Sequence, residues 1–120
     1  MNKVSKEKVE LYEVVCPLLH SAYSEVKVMS GKKQSEQLNL NKVKIINKLL
    51  DKVLILLKDE PTIEFLQKLD EDDLPTNSDA VLILSQSLSA MDQFHLKYFH
   101  SDEWEAFRTG KWQTEDDEEE

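Results

Sequence analysis

Apolar residues recur three or four positions apart along three long stretches of the chain, the spacing that lines up one face of an α-helix. In the first stretch Leu11, Val15, Leu18, Ala22, Val26 and Met29 form the stripe, and Ser5 stands where an N-cap belongs. Gly31 comes just after the last periodic residue and is expected to end this helix. Pro17 lies inside the pattern and has no amide to offer Glu13, which predicts a kink or a break there. Residues 30–40 read as a polar loop.

The second stretch is the most regular. Val43, Ile46, Leu50, Val53 and Leu57 step by three, four, three and four, as in a coiled-coil seam, and Ile45, Leu49 and Leu56 widen the stripe. Pro61 ends this helix or opens the next, predicting a short helix over 61–69 with Ile63, Phe65, Leu66 and Leu69 as its contacts. Residues 70–79 are a connection rich in capping residues, with Thr76 and Asp79, or Asn77 and Ser78, placed to start another helix. That last long helix is expected over 78–99, its seam being Val81, Leu84, Leu88, Met91, His95 and Tyr98. Residues 101–112 add a half-ordered turn carrying Trp104, Phe107 and Trp112, and the acidic run from Glu115 repels itself.

The pattern therefore predicts an all-α fold: a small up-and-down bundle of three long helices plus one short helix, with a disordered acidic C-terminal tail. The expected division is a bundle domain over 1–112, with room for a short terminal helix at 101–109, and the tail over 113–120. Two glycines and three prolines in 120 residues are too few turn residues for an all-β architecture.

Cys16 is the only cysteine, which excludes an intrachain disulfide and a thiolate metal cluster. The longest apolar runs, 53–57 and 80–84, fall far short of the roughly 20 residues that span a bilayer. No signal-peptide block comes after the early lysines, so a cytoplasmic protein with no membrane partner is expected.

Charge changes the picture more. Residues 1–58 hold eleven lysines against six acids, net +5, whereas residues 59–120 hold four bases against eighteen acids, net −14. Such segregation points to a charged docking partner or to attraction between the halves.

Candidate chemistry is sparse. Asp92 with His95, and His100 with Glu103, are spaced to share a helix face, but di-metal bundles need a second such motif and more glutamates. Residues 70–73 fail the calcium-loop pattern, because Pro75 or Asn77 falls where that loop needs glycine. No nucleophile elbow or phosphate-cradling glycine loop is present. The arginine-then-histidine spacing of small helical nucleases is missing too, Arg108 being the only arginine with no histidine after it. No catalytic residue, metal or cofactor is expected.

Two features suggest binding. Trp104, Phe107 and Trp112, interleaved with Glu103 and Glu105, suit anchors steered onto a protein partner with a basic surface, as an accessory subunit, inhibitor or immunity-type regulator would use. Of these, Trp112 is the one expected to be exposed. Lys44, Lys48 and Lys52 recur one helical turn apart and form the alternative, a nucleic-acid contact modulated by the acidic tail. Mimicry of DNA by the acidic surface is a further variant, disfavoured because most acids cluster in a connector and a tail. The oligomeric state is left open.

Overall fold

The computed structural model describes residues 3–100 and 111–114. Its first helix, α1, spans Lys6–Lys32 and starts as the sequence implies: the Ser5 hydroxyl accepts from the Lys8 N–H at 3.2 Å, and Glu7 complements the dipole in the first turn. The break expected at Pro17 is not there. Glu13 and Pro17 both lie on the exposed side, so water can serve the carbonyl that proline leaves unpaired. Gly31 is likewise not the stop. It sits inside the last turn without a positive φ, and the helix ends on Lys33, whose N–H donates to Met29 O at 2.8 Å.

Helix α2, Leu40–Leu56, is capped by Asn39, which accepts from the Lys42 N–H at 2.8 Å. The short helix expected over 61–69 is instead a 3-10 turn over Pro61–Phe65, and Leu66 is already extended. The reason lies on α2. Asn47, only 5% exposed, accepts from the Leu69 N–H at 2.8 Å and donates to the Leu69 carbonyl at 2.9 Å. These two bonds satisfy the backbone of an extended segment where a helix would have used its own carbonyls. Asp70 then folds the chain back by accepting from the N–H groups of Asp73 and Asp72, which holds its carboxyl below its ordinary pKa. Helix α3, Asn77–Tyr98, begins on Thr76, which accepts from the Asp79 N–H at 3.1 Å.

Contacts at the helix ends fix the directions. Asn77 donates from Nδ2 to Lys33 O at 2.8 Å, and Lys42 Nζ lies 3.4 Å from Met29 Sδ, so α2 and α3 both begin beside the end of α1. Lys8 and Asp59 meet at 3.3 Å where α1 begins and α2 has ended. Both later helices thus run against α1 and parallel to each other, because the extended segment and not a helix makes the return stroke between them; this corrects the expected up-and-down order. Helix α1 packs on both partners while α2 and α3 barely meet, which leaves α2 with an open flank. The three long helices and the mostly helical content agree with the sequence pattern.

The core face of α3 is rotated from its expected seam. Asn77, Ala80, Leu84, Ser87, Met91, Phe94 and Tyr98 are buried, stepping three and four, while Val81, Leu88 and His95 flank them. Ala80 and Ser87 are small, so α1 is met by the less bulky row rather than the more hydrophobic one. On α1 the same rotation buries Leu19 completely and leaves Leu18 53% exposed.

A two-residue antiparallel pair closes one end, with β1 (Phe99–His100) facing β2 (Lys111–Trp112) in the register Phe99↔Trp112. Gln113 then donates to Tyr98 O at 2.6 Å and accepts from the Val4 N–H at 2.9 Å, and Val4 bridges to Thr114. Residues 113 and 114 are therefore tied to the bundle, not the start of a free tail. The expected tail beyond them and the expected terminal helix at 101–109 lie outside the described residues.

Candidate protein-docking site

Of the five residues expected to anchor a partner, Glu103, Trp104, Glu105 and Phe107 lie outside the described residues. Trp112 is described, and it faces inward. Its ring lies 5.0 Å from Tyr12, 5.2 Å from His95 and 5.4 Å from Phe99, edge-on to each, which corrects the expectation of an exposed anchor. The β1–β2 pair causes this by delivering Trp112 to the aromatic side of α1 and α3. His95 belongs to the same cluster, stacked 4.4 Å from Phe99 and 5.7 Å from Tyr12.

Beside this cluster lies a buried polar clamp. Glu60 is 7% exposed and accepts from Tyr98 OH at 2.8 Å and from Lys97 Nζ at 3.1 Å, fastening the start of the 3-10 turn to the end of α3. The hollow next to it, about 400 Å³, is walled largely by Pro61, Phe94 and Leu96. Burial and then the Glu60 bond push the Tyr98 phenol up, and the Glu60 bond pushes Lys97 up. Burial, and then the Cys16 thiol, raise Tyr12 as well. A group whose pKa is raised by folding stabilises the fold fully below its unfolded value and loses that contribution as pH climbs through the folded one. Urea midpoints are therefore expected to hold up to about pH 10, where free phenols titrate, and to fall above it. The fall should be smaller in Tyr98→Phe. An alkaline limb equally steep in both proteins would contradict this account of the clamp.

The described residues carry one extended surface that sequence reading missed. On α1, Val14, Leu18 and Val28 are 63%, 53% and 60% exposed, and on α2 Ile45 and Ile55 are 55% and 59% exposed. At 100° per residue, Val14, Leu18 and Val28 fall on one side of α1, and Ile45, Lys48, Lys52 and Ile55 on one side of α2. Two hollows lie between the helices. The first, about 140 Å³, is lined by Ala22, Glu25, Val26, Met29, Lys42, Ile45 and Ile46. The second, about 480 Å³, continues over Leu18, Ser21, Leu49 and Lys48 and shares Ala22, Glu25 and Ile45 with the first, so the two form one short groove. A further hollow, about 640 Å³, is lined by Lys48, Asp51, Lys52, Leu54, Ile55 and Lys58 without any residue of α1, and so opens on the other flank of α2. The lysine row expected to contact nucleic acid lies on one exposed side of α2, and of the three only Lys48 lines the groove shared with α1.

Among the described residues no cluster of three histidine, cysteine or acidic side chains is placed to hold a metal ion, and no helix is long and apolar enough to cross a membrane. Comparison of the chain with protein-family models, with curated proteins and with solved structures finds no match in any of the three.

Proposed function

We propose that this chain is a non-enzymatic interaction module, a three-helix scaffold that docks a helix of a partner protein along its α1–α2 face. The observation that carries the reading is a groove between α1 and α2 whose opposite walls carry Leu18 and Ile45, each more than half exposed, over Ala22, Val26, Ile46 and Leu49. Scattered apolar side chains on a surface need no explanation, whereas a contiguous set along a groove marks an interaction site. A groove between two helices is also the usual seat for the apolar face of a third.

The test is a double substitution, Leu18→Glu with Ile45→Glu. Both side chains are exposed, so stability should change by no more than about 0.5 kcal/mol per site. A protein retained by the parent chain in affinity purification from native cells should be lost by this variant. Phe65→Glu, at a 66% exposed position away from the groove, should retain it. An unchanged set of retained proteins in the double variant would remove the groove from the function.

A second reading assigns docking onto a basic partner to the acidic aromatic segment that contains Trp104 and Phe107. It is favoured by one observation: β1 and β2 moor the residues on either side of that segment to the bundle. Trp104→Ala with Phe107→Ala in the same purification separates it from the groove reading. Nucleic acid is the weaker occupant for the lysine side, because a phosphate backbone offers nothing to Ile45, Leu49 or Ile55.

A further inference from the structure

We infer that the α1–α2 face is covered by a second copy of this chain, whose α1 lies antiparallel along the first; this rests on the docking reading above and names the partner. The row that carries it is on α1. Val14, Leu18, Ser21, Glu25 and Val28 are all exposed and step by four, three, four and three. That is the spacing of a coiled-coil seam, here lying outside the core. Glu10 and Lys32, also exposed, prolong the same line by one turn at each end.

The row is matched about its middle. Val14 stands seven positions before Ser21 and Val28 seven after it, while Glu10 stands eleven before and Lys32 eleven after. A two-fold axis at Ser21 therefore sets Val14 against the second copy's Val28 and Glu10 against its Lys32, each contact occurring twice. Serine at the axis is small enough to let the two helices approach closely. Charge fixes the direction, because a parallel pair would stack Glu10 on Glu10 and Lys32 on Lys32. From Glu10 to Lys32 the row is twenty-two steps, roughly 33 Å at the helical rise, or about six turns of contact.

Helix α2 supplies the other edge. The larger hollow between the helices carries Leu18, Ser21 and Glu25 on one wall and Ile45, Lys48 and Leu49 on the other. A helix laid along the α1 row thus has aliphatic side chains of α2 beside it. The face holds both signs, with Glu10 and Glu25 against Lys32 and Lys48. A nucleic acid or a helix of uniform charge would answer one set and oppose the other, whereas an identical face brought up antiparallel answers both.

The experiment is sedimentation of the full chain, which should pass from one chain to two as the protein is concentrated. Val14→Glu with Val28→Glu, at positions 63% and 60% exposed, should keep the helical circular dichroism spectrum and weaken the dimer at least about tenfold. Glu10→Lys and Lys32→Glu should each weaken it about fivefold at low salt, since each sets like charges together twice. Mixing those two variants, or joining both changes in one chain, should restore it. In a Cys16→Ala background, Val14→Cys copies should form a disulfide with Val28→Cys copies and not with each other.

A single chain at every concentration would overturn the inference. So would a dimer unchanged by the valine pair or by the charge swaps, or Val14→Cys copies that cross-link to each other. If no dimer forms while Leu18→Glu with Ile45→Glu still loses a native protein, a different protein covers the face and the docking reading stands. If no dimer forms and that variant loses nothing, the docking face itself falls.

Discussion

Phe94→Ala is expected to destabilise the fold by about 3–5 kcal/mol, the range for deleting a fully buried phenylalanine. Phe94 is 2% exposed and stands in the α3 row that meets α1. Its ring lies 5.0 Å from Tyr98, 5.7 Å from Tyr12 and 5.8 Å from Trp112, so its loss empties the middle of a cluster that three separate segments share. Neither the helix end at Tyr98 nor the β pair at Trp112 can close that space without moving the other. Small domains have a total stability of about 5–15 kcal/mol, so the variant should melt more than about 10 °C below the parent and bind a hydrophobic dye while cold. Near-ultraviolet circular dichroism reports the same event through Trp112, whose edge contacts fix its signal. A loss under about 1 kcal/mol would mean that the aromatic cluster is not where the bundle is closed.

Asn47→Ala is the second large effect, expected near 2–4 kcal/mol, and its mechanism is different. Alanine suits a helix interior better than asparagine, so propensity alone would make the change favourable. What is lost is the partner of a buried backbone: the Leu69 N–H and carbonyl would both be stranded beside α2, at about 1–3 kcal/mol each. Asn47→Asp keeps the acceptor for the Leu69 N–H but cannot donate to its carbonyl. It also sets a charge beside Glu71, whose Oε2 lies 3.2 Å from Asn47 Nδ2. That variant should be at least as damaging as alanine, whereas Lys48→Ala, one position on and exposed, should be nearly neutral. Hydrogen exchange at the Leu69 amide gives the local readout, with protection lost in Asn47→Ala even where the global fold persists. Retained protection would show that the extended segment is held by its aliphatic contacts alone.

The same residues show why the sequence was legible in some places and opaque in others. Helix α2 was legible along its seam because Val43, Ile46, Leu50, Val53 and Leu57 are residues it buries, although Ile45 and Ile55 stand outside that face. Asn47 sat on that face and read as a gap, since its role is set by a backbone twenty-two residues away. In α3 the eye is drawn to Val81 and Leu88, but close packing selects Ala80 and Ser87, and the seam turns with them. Leu18 and Leu19 are indistinguishable in a periodic pattern, yet Leu19 is buried and Leu18 stands half exposed on the α1–α2 groove. Local chemistry was readable wherever it stayed local, as at Ser5 and Thr76. The tie between Val4 and Gln113 and the inward packing of Trp112 join opposite ends of the chain, and no window along it contains both halves.

The candidate site was half visible for a related reason. Along the sequence Lys48 and Lys52 belong to a charged row and Ile45 to an apolar stripe, because neither pattern depends on where α1 lies. Once α1 is placed on one side of α2 only, Ile45 is left more than half exposed and Lys48, alone of the three lysines, lines a hollow shared with α1.

The most direct measurement of that surface is photo-crosslinking in native cells, with a short-range crosslinking side chain placed at position 45 in one protein and at position 82 in another. Leu82 is 60% exposed on α3, comparable to Ile45 but outside the groove. A discrete protein adduct at position 45 that is missing at position 82, and that Leu18→Glu diminishes, is the predicted result. Equal adducts at both positions, or none at position 45, would contradict the assignment of the α1–α2 face as the place where this protein meets its partner.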